Sequence, residues 1–403
     1  MSKWEIFKIG DVCKTSSGGT PLKLNNDYYD NGDIPWLVSG EVCQKNILNN
    51  KNYITQKGLE NSSAKLFPVN TVLVAMYGAT AGQVGILRFE SATNQAICGI
   101  LPNKRIIPEF LYYALLFKKS ELIAQATGNA QPNISQIKIK NTKIPVPPIE
   151  EQKRIVEILD KAFEGIAQAE ANTRRNLINA RELFDSYLNK IFADKDKKWI
   201  RIKLSKLCNI KHGFAFKSEF FTRERNKYIL LTPGSFYENG GYREQGEKTK
   251  YYTGEIPEGF VLKKNDFLIV MTEQAVGLLG SSLSVSENNK FLHNQRLGLV
   301  QVFDNIDWYN DFFLHQFNTK FFRNAVQESA SGVKVRHTSP QKLGAITVLL
   351  PPSIEEQKKI AKNLNDLKEE TKKLETIYQR KLEAIAELKQ SILEKAFTGQ
   401  LSQ

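Results

Sequence analysis

The sequence predicts an α/β (α+β) fold used twice: two globular domains, each followed by a long helix. The two helices are expected to pack antiparallel as a coiled coil, relating the halves by a pseudo-twofold. Three observations predict this. A block P-P-I-E-E-Q-K-R-I (Pro147 to Ile155) returns as P-P-S-I-E-E-Q-K-K-I (Pro351 to Ile360). Each copy is followed by a proline-free stretch with apolar residues at helical spacing. Each is preceded by a longer, turn-rich stretch of short β-branched runs. The period is too long for a solenoid. The expected boundaries are 1–148 for the first domain, 149–197 for its helix, 198–353 for the second domain and 354–403 for the last helix.

The repeat is also visible within the domains. Trp4, Lys8, Cys13 and Gly18 pair in order with Trp199, Lys203, Cys208 and Gly213. Asn94-Gln95 pairs with Asn294-Gln295, and Gly128 and Ser135 with Gly332 and Ser339. Near the helix ends, Ser186, Leu188, Lys190 and Phe192 pair with Ser391, Leu393, Lys395 and Phe397. A shared framework with divergent interiors fits two related domains with different ligands.

The chain has 403 residues, 41% of them hydrophobic, an ordinary value for a globular chain of two or three domains. No apolar run is long enough to span a bilayer, and Met1-Ser2-Lys3-Trp4-Glu5 is no signal peptide, so a cytoplasmic location without a membrane partner is expected. The four cysteines form no C-x-x-C pair, which argues against a zinc ribbon or disulfide framework. The four histidines, His212, His293, His315 and His337, show no ligand spacing, so no metal is expected. A formal net charge of +13 favours polyanionic partners through attraction and counterion release.

In the first domain, Thr71–Tyr77, Ile86–Phe89 and Ala96–Leu101 read as strands, and Pro108–Phe117 as a helix opened by its proline. In the second, Asp266–Met271 and Leu297–Val302 read as strands. Tyr309–Phe322 reads as one helix with Phe312, Phe313, Leu314, Phe317 and Phe321 in the core. Binding residues gather on loops that such a scaffold positions. The first domain's candidates are Ser17 and Thr20 in S-S-G-G-T, Ser39 in V-S-G-E, Tyr77 and Thr80 in Y-G-A-T, and Asn129, Gln131 and Asn133 in T-G-N-A-Q-P-N. The second domain offers Lys211 in K-H-G-F, Thr232 and Ser235 in T-P-G-S, Thr272 and Gln274 in T-E-Q, and Lys334, Arg336 and His337 in S-G-V-K-V-R-H. These polar side chains suit base edges, and glycine admits close backbone approach. In an extended strand, Lys334 and Arg336 project to one side, and Lys or Arg facing guanine is the commonest specific base contact.

The helices carry apolar rows at seven-residue spacing. The first has Ile155, Ala162, Ala169, Asn176, Leu183 and Leu159, Ile166, Thr173, Ala180, Tyr187. The second has Ile360, Leu367, Leu374, Lys381, Leu388 and Leu364, Thr371, Tyr378, Ile385, Ile392. Sustained spacing of this kind predicts a coiled-coil seam, with polar members fixing register. The prolines before each helix stop the preceding strand, and Gly399 ends the last helix.

The order domain, P-P-x-x-E-Q helix, domain, P-P-x-x-E-E-Q helix, closing on Ser391-Ile-Leu-Glu-Lys-Ala-Phe-Thr-Gly-Gln-Leu401, resembles the specificity subunit (HsdS) of type I restriction–modification systems. The string Gly213-Phe-Ala-Phe-Lys-Ser218 adds to the likeness, which runs the length of the chain. The resemblance implies two target recognition domains, each reading one half of a bipartite sequence in double-stranded DNA. It implies spacer helices that set the gap between half-sites and dock two methyltransferase subunits, and through these two restriction (motor–nuclease) subunits. Partner-binding positions on the helices would be Glu151, Gln152, Ile155 and Leu159, with Glu356, Gln357, Ile360 and Leu364. S-adenosylmethionine, ATP and Mg2+ would belong to the partner subunits, leaving this one without a cofactor or catalysis.

The residues agree with that negative. The chain has no N-P-P-Y or D-P-P-Y motif, no G-x-x-x-x-G-K-[ST] loop and no Pro-Asp dipeptide. Gly78 to Gly85 is glycine-rich but lacks the acidic ribose partner of a dinucleotide site. The alternative is an adaptor that uses its helices to bind protein and reads no DNA.

Overall fold

The computed structural model describes residues 4–125, 133–193, 198–274 and 276–401. The chain divides into two compact units. One comprises residues 1–174 with 380–403, the other residues 175–379. Both long helices cross this division, so each unit holds the start of its own domain's helix and the end of the other.

In the first unit a five-stranded sheet runs Thr15–Ser17, Ile97–Ile100, Val72–Ala75, Val84–Leu87, Asn46–Ile47. It is antiparallel except at the Asn46–Ile47 edge. A four-stranded sheet lies in the order Tyr53–Ile54, Ile34–Leu37, Ser91–Thr93, Leu66–Phe67. Five short α-helices, Ile9–Val12, Gln56–Glu60, Pro108–Phe117, Lys119–Ala124 and Gln136–Asn141, accompany the sheets among the described residues, and Ile6–Lys8 pairs with Lys143–Pro145 to bring the domain's two ends together.

The second unit repeats the plan. Its main sheet runs Cys208–His212, Leu297–Val302, Phe267–Val270, Ser282–Ser284, and Ile200–Lys203 pairs with Thr347–Leu350. A second four-stranded sheet orders Phe221–Thr222, Tyr251–Tyr252, Tyr228–Leu230, Phe291–Leu292. The expected helix over Tyr309–Phe322 is two helices, Asn310–Phe317 and Lys320–Ser329. Thr319 divides them: its side chain caps the second helix by accepting the Phe322 N–H. That break turns Phe321 outward, 64% exposed, whereas Phe312, Phe313 and Phe317 are fully buried as expected.

Several repeated residues acquire a structural cause. Ser135 and Ser339 each cap a short helix, accepting the N–H of Lys138 and Lys342. Cys13 and Cys208 are buried in their units' cores, and burial pushes the Cys208 thiol up to about 12, away from reactivity.

The glutamine of the repeated P-P block is the clearest case. Gln152 is fully buried; its Oε1 accepts the Ile107 N–H at 3.0 Å and its Nε2 donates to the carbonyls of Arg105 and Pro147, both at 2.8 Å. Gln357, also fully buried, accepts the Tyr309 N–H and donates to the Asp307 carbonyl, both at 2.9 Å. Ile107 and Tyr309 are the residues that open the helices Pro108–Phe117 and Asn310–Phe317. In both units one side-chain amide therefore ties the start of a long helix to the start of a domain helix.

This corrects the expectation of a partner-binding face. Gln152, Ile155, Leu159, Gln357 and Leu364 have no exposed surface, because they join helix to domain, and Ile360 packs against the same core as Leu364. Glu356 is also used internally, accepting the Trp199 indole N–H at 2.8 Å. Glu151 pairs with Arg154.

The central helix spans Ile149–Ala193 and the last Ile354–Phe397. They pack antiparallel. In the first unit Arg154 donates to the Leu401 carbonyl at 2.7 Å while Glu170 pairs with Lys389. In the second, Arg181 pairs with Glu375 at 3.1 Å. The seam follows the expected rows only in part. Ile155, Leu159, Ile166, Thr173 and Ala180 are buried, but Asn176, Leu183 and Tyr187 are exposed. Leu177, Phe184 and Leu188 face inward in their place. On the other helix Leu374, Lys381 and Leu388 are exposed, and Glu375, Leu382 and Lys389 take the inner positions. A strict seven-residue row drifts about 20° per heptad on a 3.6-residue helix, and a four-residue step restores the contact line. Gly399, at φ +81°, ends the last helix as expected.

Candidate nucleic-acid interface

In the first domain the Ser17, Tyr77 and Asn133 segments meet at one end of the main sheet. Ser17 ends the first strand, and its Oγ donates to Gln136 Oε1 at 3.1 Å, while Gln136 Nε2 donates to Thr15 Oγ1 at 2.8 Å. Tyr77 follows the strand Val72–Ala75 and is bridged through its backbone to Asn133. The segment Asn133–Gln136 thus binds the Ser17 loop to the Tyr77 loop. Tyr77 and Asn133 are exposed, and the Thr80 hydroxyl is turned to the Tyr77 carbonyl at 3.2 Å. Gly78 holds φ +69° with open space where a Cβ would stand, so backbone angle rather than crowding requires it. Thr20 bonds the Gln95 side chain. Ser39 is half-buried at the start of a turn that Glu41 builds by accepting the Val38 and Lys51 N–H groups, both at 2.9 Å. Asn129 and Gln131 lie outside the described residues.

In the second domain Thr272–Glu273 pairs antiparallel with Arg336–His337. Ser331 and His337 exchange two backbone hydrogen bonds of 3.0 Å, which closes a hairpin over Gly332 to Val335. Lys334 is exposed at its tip and His337 at its base. Arg336 points elsewhere. Its guanidinium donates to the Gln327 carbonyl at 2.6 Å and to the Gln327 side chain, so Lys334 and Arg336 do not act as a pair. Gln327 in turn donates to the buried Glu273 carboxylate at 3.3 Å. Glu273 accepts the N–H groups of Gly277, Leu278 and Leu279 at 3.1, 2.9 and 2.7 Å, which fixes the loop after the exposed Gln274. Sequence reasoning missed Glu273 and Gln327; a carboxylate beside a glycine-bearing loop was the available signal.

The remaining candidates are less available. Lys211 donates to the Gly259 carbonyl at 3.1 Å and lies over the Phe260 ring. Ser235 is buried, its hydroxyl accepting the Thr232 N–H at 3.2 Å, so it shapes its loop instead of presenting a group to a ligand. His293 is buried against the Leu297 carbonyl at 2.9 Å, and burial holds it down to about 4. Among the described residues no cluster of His, Cys, Asp and Glu could hold a metal ion, and no helix is long and apolar enough to cross a membrane.

Comparison with known proteins agrees with this architecture. The family described as "Type I restriction modification DNA specificity domain" matches residues 1–180 and 196–384. The chain is 31% identical over 158 residues to the EcoR124I/EcoR124II specificity subunit of Escherichia coli, a match spanning 38% of this chain and 39% of that protein. It is 24% identical over 418 residues to the MjaVIII specificity subunit of Methanocaldococcus jannaschii, covering 99% of this chain and 93% of that one. A chain from a structure concerned with complex assembly and conformational transition of the type I R-M system shares the fold at a TM-score of 0.77, with 20% identity and 98% of both chains covered. With two matched copies across most of its length, the chain belongs to the type I restriction–modification specificity family, as a DNA specificity subunit that is not itself catalytic.

Proposed function

We propose that this subunit reads a two-part duplex target, using residues 1–148 for one half-site and residues 198–353 for the other. The carrying observation is that both units share one framework while the loops at its edge differ. The first presents the neutral Tyr77 and Asn133, of which Asn133 suits an adenine-like edge; the second presents Gln274, Lys334 and His337. The net charge of +13 supplies the sequence-independent attraction. The long helices, 45 and 44 residues, would set the unread gap. Their outer faces would dock two methyltransferase subunits and, through these, restriction subunits. S-adenosylmethionine, ATP and Mg2+ would then be bound and used by the partner subunits.

The test is footprinting of the subunit with its methyltransferase on duplex DNA across a salt series. Two protected segments with an unprotected gap, and affinity that falls steeply with salt, are expected. A single continuous footprint, or retention indifferent to salt, would reject the reading in favour of a protein adaptor.

A further inference from the structure

The Asn-Gln turn occurs in both domains with Gln95 and Gln295 exposed; the Gln95 side-chain oxygen accepts the Thr20 hydroxyl, which leaves its amide N–H to donate elsewhere. Its buried parts are explained by the fold. Asn94 Oδ1 accepts the Ala96 N–H at 3.1 Å, and Asn294 Oδ1 accepts the Arg296 N–H at 3.0 Å. Gly18 and Gly213 are pressed against these turns: a Cβ would lie 2.5 Å from the Asn94 carbonyl oxygen in one domain and 2.1 Å from that of Asn294 in the other. In each domain the turn sits between two candidate recognition loops. On one side Gly19 N–H bonds the Thr93 carbonyl at 2.8 Å, and Gln295 N–H bonds the Phe214 carbonyl at 2.9 Å. On the other side Met76 N–H bonds the Ala96 carbonyl at 2.8 Å, and Met271 N–H bonds the Arg296 carbonyl at 2.9 Å. Tyr77 and Thr272 follow immediately.

The glutamines at the tip are exposed in both domains. Nothing in the packing needs an amide at position 295, since no hydrogen bond within the described residues holds that side chain. A group repeated at the centre of two otherwise different reading edges cannot carry the difference between them. It suits the part of the ligand that both half-sites have in common.

We propose that Gln95 and Gln295 bind the phosphodiester backbone, each donating its amide N–H to a phosphate oxygen, with the exposed Arg296 adding a charged contact in the second domain only. This rests on the two-part reading above. The turns then set the height and orientation of the flanking loops over the bases, as phosphate contacts position and base contacts specify.

The experiment uses the subunit assembled with its methyltransferase. Binding is measured for three duplexes (the full target, one with the first half-site altered and one with the second) at several salt concentrations. Gln95→Ala and Gln295→Ala should each weaken all three by one common factor of roughly 3- to 10-fold, leaving the ratios between duplexes unchanged. Arg296→Ala should also reduce the salt slope by about 1. Gln95→Glu should weaken binding further through repulsion, and circular dichroism of each variant separates this from misfolding. Discrimination lost at one half-site alone would make the glutamines base readers and overturn the proposal, as would unchanged affinity in both alanine variants. A wild-type complex that ignored both half-site changes would instead overturn the two-part reading itself.

Discussion

Gln152 and Gln357 show how a residue can be conspicuous in the sequence while its role stays hidden. The E-E-Q blocks stand out as repeats, and at a helix start among charges they read as an outward face. The residues they bond, Ile107 and Tyr309, lie more than forty positions upstream, and no local pattern connects them. Removing either amide leaves a buried N–H and carbonyl unpaired, so Gln152→Ala or Gln357→Ala should cost about 2–4 kcal/mol in denaturant unfolding. A loss below about 0.5 kcal/mol, the size of a surface change, would contradict the clamp. The recognition loops were legible as loops, but not in their internal bonds. Lys334→Ala should weaken binding to one half-site by about 10-fold, since the side chain is free at the hairpin tip. Arg336→Ala should lower thermal stability as well, because Gln327 loses its partner. Equal loss at both half-sites from Lys334→Ala would make that lysine a backbone anchor. Burial also holds His315 down to about 4 from its ordinary 6.5, with its ring N–H given to Asn365 Oδ1 at 2.7 Å. Between those values the unfolded chain binds a proton that the folded chain does not, so stability falls as pH drops through the window. Unfolding midpoints should decline from pH 7 to pH 5, and less so in His315→Gln; an unaltered decline would refute this origin.

At the scale of elements, periodicity located both long helices and the main strands, and proline and glycine marked their limits. It failed where a single cap decided the outcome, as Thr319 does in splitting the helix expected over Tyr309–Phe322. It failed again where the contact line of a straight helix left a fixed seven-residue row. Leu177 is 8% exposed and Leu183 48%, although the heptad row chose the latter. Leu177→Ala should therefore cost about 2–3 kcal/mol and Leu183→Ala under about 0.5. Denaturant midpoints of the two variants measure the difference, and the reverse order would restore the uninterrupted heptad.

For the whole molecule, the repeat in sequence corresponds to two units that each combine a domain with the beginning of one long helix and the end of the other. The breaks fall between Arg174 and Arg175 and between Gln379 and Arg380. Matched insertions there lengthen both helices while keeping every pairing inside each unit. Seven residues, close to two turns, add about 10 Å of helix with little rotation. That length corresponds to about 3 base pairs of duplex at 3.4 Å each. The most direct test of the account is adenine-methylation mapping of cells carrying the complex with either the natural subunit or the doubly lengthened one. The expected result is a two-part target whose half-sites stay the same while the gap between them grows by about 3 base pairs. Methylation at the original spacing, or with altered half-sites, would contradict it.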